Sequence, residues 1–224
     1  MILVTAEQQQ AMDHYAIHRL EIPSLLLMEN AALRVIDRID TKLRQSFAIF
    51  CGTGNNGADG LAIGRGLLAL EKRVKFFIVG DPSHASPEFH TNRRILEHMN
   101  ADMQWMNTLG DIEALPQQLQ TVNTLIDCLF GVGLSREVKG MYAVVIEQIN
   151  RSRIYTISID VPSGLDATTG AIRGCMVDAN EIITLQFMKK GLYNNPNVHG
   201  EIYVVPIGIP PQAWESVLGM EHRR

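Results

Sequence analysis

Ten residues, Cys51-Gly52-Thr53-Gly54-Asn55-Asn56-Gly57-Ala58-Asp59-Gly60, constrain the fold of this chain more than any other stretch. The apolar run Ser46-Phe47-Ala48-Ile49-Phe50 precedes them and Leu61-Ala62-Ile63-Gly64-Arg65-Gly66-Leu67-Leu68-Ala69-Leu70 follows, an order that reads as strand, glycine-rich turn and helix. Closely spaced glycines let the backbone turn tightly and approach a ligand, while the free N–H groups and positive dipole end of the helix favour an anion. Gly52, Gly54 and Gly57 spell G-x-G-x-x-G, a pattern that serves a plain tight turn as readily as a phosphate loop. The polar set Asn55, Asn56 and Asp59 is what a plain turn does not require.

The rest of the chain extends the same alternation. Thr5 is placed to cap a helix from Ala6 to about Leu20, with Gln8 as its capping-box partner, and Pro23 opens a second helix running to about Arg44. After the glycine loop and its helix, strands are expected at Arg73 to Val79, Asp102 to Met106, Thr124 to Phe130, Ile154 to Ile159, Ile182 to Leu185 and Ile202 to Val205. Helices are expected from Ser86 to about Met99, Asp111 to Gln120 and Ala143 to Ile149. This predicts an α/β fold, a three-layer αβα Rossmann-like sandwich with a mainly parallel sheet, preceded by two N-terminal helices. At 224 residues, with no repeat or linker, the chain suits a single domain over residues 1–224. In such sheets ligands bind beyond the carboxyl ends of the strands, so the loops opening at Gly52, Gly131 and Asp160 are expected to converge on one pocket.

Composition narrows the class of function. A net charge of −4 gives no support to a nucleic-acid-binding face. Three scattered cysteines, Cys51, Cys128 and Cys175, without C-x-x-C spacing, suggest a reducing compartment and neither a disulfide framework nor a zinc site. No apolar stretch reaches membrane-spanning length without charge, and the expected location is the cytoplasm.

Asp127 lies inside an apolar strand, where an ionised carboxylate needs compensation. Its partner is either a set of structural donors, such as backbone N–H groups of a neighbouring turn, or a monovalent cation shared with oxygen ligands from Asn56 and Ser163; that set is too low in charge for calcium and lacks the ligands zinc prefers. Asp160 ends a buried strand before a Pro-Ser-Gly turn, where an α/β fold exposes a working carboxylate or uses one to brace the turn. Asp166 reads as a turn or capping residue. Lys189 and Lys190 follow a strand, and one of them is a candidate charge partner for the pocket. Glu29 and Asn30 sit in an apolar patch, either satisfying backbone groups or, for Asn30, supporting a pocket. His14 and His18 read as a solvated i, i+4 pair.

At this point the residues resemble a known family, the NAD(P)H-hydrate epimerases, over nearly the whole chain. Thr5-Ala6-Glu7-Gln8 with Asp13, Ile22-Pro23-Ser24 and Leu27-Met28-Glu29-Asn30-Ala31 resemble its two-helix opening, and Gly52 to Gly60 its glycine loop. Ile126 to Leu134 and Ile159 to Asp166 resemble its other two signatures, and Lys189-Lys190-Gly191-Leu192 and Gly208-Ile209-Pro210 its closing segments. The resemblance implies an isomerase that interconverts the R and S epimers of hydrated NADH and NADPH as metabolite repair, alongside an NAD(P)H-hydrate dehydratase partner. It implies substrate contacts from Asn55, Asn56, Gly57, Ala58 and Asp59, from Gly131, Val132, Gly133, Leu134, Ser135, Arg136 and Glu137, and from Asp160. It implies a potassium ion held by Asn56, Asp127 and Ser163. Asp160 is the candidate catalytic residue, with Asn30 and Lys189 in support.

Three departures stand out. Ala58 and Ala32 occupy positions where the family usually carries glycine, and alanine is harmless there only if the backbone has negative φ. Leu185-Gln186-Phe187-Met188 replaces the family's Phe-Gly-x-Pro approach to the lysine. Two other classes of function are weighed: an NAD-dependent dehydrogenase, with Asp81 on the adenosine ribose, and a non-catalytic nucleotide-, RNA- or protein-binding scaffold. Leu25, Leu26 and Leu27 either cover the core or form a homodimer face.

Overall fold

The computed structural model describes residues 1–220. Its centre is a seven-stranded sheet of β2 (Ser46–Cys51), β3 (Arg73–Ile78), β4 (Asp102–Trp105), β5 (Thr124–Cys128), β6 (Thr156–Ile159), β7 (Glu181–Leu185) and β9 (Glu201–Val205). The strands run in the order β4-β3-β2-β5-β6-β7-β9, every neighbouring pair parallel. Strand order reverses between β2 and β5, so the topological switch point falls there. The expected α/β sandwich is what forms.

Alternate residues of the strands divide between two layers of helices, because successive side chains of a strand point to opposite faces. Phe47, Ile49 and Cys51 pack on the side of α2 (Ser24–Arg38) and α3 (Asn55–Ala69), with α4 (Pro87–His98) beyond. Ala48 and Phe50 face α5 (Leu109–Gln118) and α6 (Met141–Ser152) through Ile112, Leu115, Val145 and Ile149. Before α2 comes α1 (Ala6–His18), and α7 (Pro211–Leu218) packs against it.

Several expected boundaries shift. The second helix stops at Arg38 instead of near Arg44 because Ile39 is extended, and the Asp40 carboxylate accepts from the N–H groups of Lys42 and Leu43 at 3.0 and 3.2 Å. The strand expected to reach Phe130 ends at Cys128, where the Leu129 N–H turns onto the Asp127 side chain. A two-stranded parallel ladder, β1 (Leu3–Val4) with β8 (Met188–Lys189), and the helix α7 went unanticipated. Leu27 is buried against the core, whereas Leu25 and Leu26 are exposed. Among the described residues no helix is long and apolar enough to cross a membrane.

Candidate active site

The switch point opens into a cavity of about 510 Å³. The loop after β2 lines it with Thr53 and Gly54, the start of α3 with Asn55, Asn56 and Asp59, and the loop after β5 with Leu129 to Leu134 and Arg136. Asp160 lies at the end of β6, and α1 supplies Gln9, Gln10 and Asp13. The three expected loops therefore converge. The glycines act by closeness. A Cβ on Gly52 would lie 2.1 Å from the Leu129 carbonyl oxygen, and one on Gly57 would lie 1.7 Å from that of Gly52. Gly54 precedes the first turn of α3 with no side-chain cap, which leaves that helix start to a ligand.

Ala58 lies inside α3, fully buried and outside the set of positive-φ residues, and Ala32 lies inside α2, so both replace glycine without strain. Ser135 and Glu137 are exposed and do not line the cavity; Glu137 pairs with Lys139 instead. Asn30 is exposed beside Gly208, outside the cavity, and Glu29 pairs with Arg65. Asp81 accepts from the Ser83 N–H and hydroxyl on an exposed turn, and Asp166 accepts from the N–H groups of Thr168 and Thr169 as a turn residue does. The rings of His14 and His18 lie 4.3 Å apart, tilted by 49°, on the exposed side of α1.

Asp127 is completely buried and fully supplied with donors. Oδ1 accepts from the Ser163 hydroxyl at 2.5 Å and the Leu129 N–H at 3.2 Å; Oδ2 accepts from the Ser158 hydroxyl at 2.8 Å and the Ser163 N–H at 2.9 Å. Burial pushes its carboxyl above the usual range, and these hydrogen bonds oppose that. The neighbouring turn thus supplies Asp127 with structural donors. Beside it, the Asn56 amide donates to the Phe130 carbonyl at 2.9 Å, and the Ser163 hydroxyl lies 3.2 Å from the same oxygen. Asn56 Oδ1 is buried with no hydrogen-bond partner among the described residues. An orphaned amide oxygen, a hydroxyl and a carbonyl next to a buried carboxylate suit a weakly charged, oxygen-seeking cation.

Asp160 adopts a left-handed backbone at φ 70°. Few non-glycine residues do so, aspartate and asparagine more than most, and such positions gather at working sites. Its Oδ1 accepts from the Leu185 N–H at 3.3 Å and meets Lys189 Nζ at 2.5 Å. Lys189 is entirely buried, also donating to the Leu185 carbonyl at 2.6 Å, whereas Lys190 is exposed. Of the two candidate lysines, Lys189 is the one that reaches the site. The unusual approach to it keeps a left-handed residue, Gln186 at φ 63°, where the family pattern has glycine. The Gln186 side chain anchors that turn by accepting from the Ile207 N–H at 2.9 Å and donating to the Ile209 carbonyl at 3.3 Å.

Sequence reasoning gave no chemical role to the α1 wall. Asp13 lies near Asp160 and Lys189, and burial, foremost, pushes its carboxyl up to about 6. Asp59 is pushed up as well, first by burial and then by the carboxylates of Asp160, Asp13 and Glu88. The available signal was the i, i+4 spacing of Gln9 and Asp13 beside apolar Met12 and Ala16.

Over most of its length the chain is similar to known proteins. Residues 24–191 match the family described as YjeF-related protein N-terminus. An NAD(P)H-hydrate epimerase of Anaerococcus prevotii is 42% identical over 97% of this chain and 100% of its own length. That of Limosilactobacillus fermentum is 37% identical over 84% of this chain and 88% of its own. A bifunctional NAD(P)H-hydrate repair enzyme of Moorella thermoacetica is 35% identical over 94% of this chain and 41% of its own length. A yeast protein of known crystal structure shares the fold, with a TM-score of 0.81 at 19% identity over 97% of this chain and 93% of its own.

Proposed function

The chain belongs to the YjeF-related N-terminal family and, within it, to the NAD(P)H-hydrate epimerases, and from that premise we propose which groups of its cavity invert the substrate. It is an isomerase that interconverts the R and S epimers of hydrated NADH and NADPH. C6 of the hydrated nicotinamide ring carries a hydroxyl beside the ring nitrogen, so inversion breaks a C–O or C–N bond and remakes it on the other face. Neither net redox change nor nucleotide hydrolysis is required.

The observation that carries the reading is Asp160, a carboxylate on the cavity wall held against a buried lysine. Asp160 moves the proton that lets the hydroxyl leave or the ring open. Lys189 fixes the carboxylate and balances its charge. Asn55, Asn56 and Asp59, with Gly131 to Leu134 and Arg136, hold the nucleotide, the start of α3 and Arg136 being suited to its phosphates, whereas Gly57, Ala58, Ser135 and Glu137 lie outside the cavity lining. Asn56, Asp127 and Ser163 would hold potassium, which when bound supplies charge balance for Asp127 and a fixed geometry for the substrate loop. Within this proposal the enzyme works in the cytoplasm, beside an NAD(P)H-hydrate dehydratase. The bifunctional Moorella relative, of which the chain covers 41%, has room for a second activity in one polypeptide.

The test is exchange of one separated NADHX epimer into the other by the purified protein, with potassium or with lithium. Asp160→Asn is expected to slow exchange by ~10²–10⁴-fold without loss of fold. Potassium at about ten times its Kd is expected to add ~1.4 kcal/mol of stability, about 3–6 °C in Tm. An unaltered exchange rate in Asp160→Asn would remove Asp160 from the chemistry, and equal Tm in both salts would remove the cation.

A further inference from the structure

We propose that Asp13 is a second catalytic residue, giving a proton to the substrate's C6 hydroxyl on one face of the ring while Asp160 takes a proton from water on the other, with Gln9 binding the ring beside it. This rests on the epimerase reading and assigns chemistry to α1 (Ala6–His18), which precedes the segment that matches the family.

Three observations carry the proposal. Asp13 and Asp160 line the same cavity from separate layers, one from a helix and the other from the end of a sheet strand. Gln9, one turn before Asp13, is 3% exposed and also lines the cavity; its Nε2 donates to Asp13 Oδ1 at 3.1 Å, while its Oε1 is buried with no partner among the described residues. A buried acceptor left unpaired is costly, and a donor on a bound ligand satisfies it. The two carboxyl groups also differ in environment. Asp160 has the Lys189 ammonium at 2.5 Å, whereas Asp13 has the neutral Gln9 amide. Burial raises the Asp13 carboxyl to about 6; Gln9 opposes this, Asp160 adds to it, and Lys189 opposes it again. A carboxyl raised by burial is suited to giving a proton, and a carboxylate set against an ammonium to taking one.

An inversion needs both. The Asp13 carboxylic acid protonates the C6 hydroxyl, the C6–O bond breaks, and water departs as the lone pair of the ring nitrogen forms the C6=N iminium. A water then attacks C6 from the other face. The new C6–O bond forms, the iminium electron pair returns to nitrogen, and Asp160 accepts the proton that water gives up. One proton enters and one leaves, one water is lost and one gained, and the next turnover in the reverse direction restores both carboxyl groups. Either direction starts from the pair holding a single proton, so kcat/KM for both epimers has the same pH dependence. It falls as pH rises through about 6, where Asp13 loses its proton. The charged groups around Asp13 that set this limb are Asp160 and Lys189, together with Asp59, which is coupled in turn to Glu88.

The experiment measures exchange of each separated epimer by the full chain from pH 5 to 9, with thermal unfolding recorded for every variant. Asp13→Asn is expected to lower kcat by ~10²-fold or more while KM stays within about threefold, and to abolish the fall-off near pH 6. Asp13→Glu is expected to restore part of the rate together with the fall-off, and Gln9→Leu to raise KM. Should Asp13→Asn not fold, the Asp13→Glu and Gln9→Leu results decide. The proposal is overturned if Asp13→Asn works at the wild-type rate or keeps the fall-off, if Asp13→Glu recovers nothing, or if Gln9→Leu leaves KM unchanged. A wild-type protein that fails to exchange epimers would instead sink the epimerase reading itself.

Discussion

The left-handed backbone of Asp160 decides how that residue can be interrogated. Asparagine tolerates positive φ nearly as well as aspartate, so Asp160→Asn removes the ionisable oxygen and keeps the turn, whereas Asp160→Ala adds backbone strain of order 1 kcal/mol to the chemical loss. The opposite case is Gly57, whose backbone is unstrained but whose missing Cβ makes room for the Gly52 carbonyl. Gly57→Ala is expected to destabilise by roughly 1–3 kcal/mol, read as a lower urea midpoint at unchanged slope, because a backbone oxygen cannot yield as a side chain does. At this scale much was legible. Asn56, Asp127, Asp160 and Ser163 stand out as polar residues where the pattern calls for strand or tight turn. Gln9 and Asp13 did not, because a polar pair one turn apart looks the same in sequence whether it faces water or a cavity.

Among the elements, α1 is the wall with the most local construction. Thr5 and Gln8 close a reciprocal capping box, Gln8 N–H to the Thr5 hydroxyl at 3.1 Å and Thr5 N–H to the Gln8 side chain at 2.9 Å. The Thr168 hydroxyl then accepts the Ala6 N–H at 2.9 Å, which ties the start of the helix to the loop after β6. Thr5→Ala is expected to cost ~1 kcal/mol, a Tm drop of about 2–4 °C. That cap was readable from spacing alone. The early end of α2 was not, because Asp40 in a run of helix-compatible residues shows its competing turn only once its carboxylate binds the N–H groups that follow. Nor were β1 and β8, since two-residue strands carry no period to detect.

At the scale of the whole molecule, alternation of strand and helix was enough to give the layers, the parallel sheet and the convergence of three loops at its switch point. Which segments lie beside those loops depends on contacts between stretches far apart in sequence, and these leave no local trace. Lys189 shows this best. Met188 and Lys189 pair with Leu3 and Val4, and the Lys190 N–H donates to the Val4 carbonyl at 2.8 Å. The lysine that holds Asp160 is therefore clasped by Leu3 and Val4, which lie far from it in sequence. In the language of folding kinetics this is a contact of very high order. Its loop-closure entropy must be met before the two-residue ladder returns anything, so it is favoured only after the large sheet has brought the two segments together. During refolding from denaturant, circular dichroism is expected to recover before epimer exchange does, and simultaneous recovery would show that the clasp forms with the sheet. With the clasp forming last, catalytic competence is the last property acquired, set by the short seam between β1 and β8.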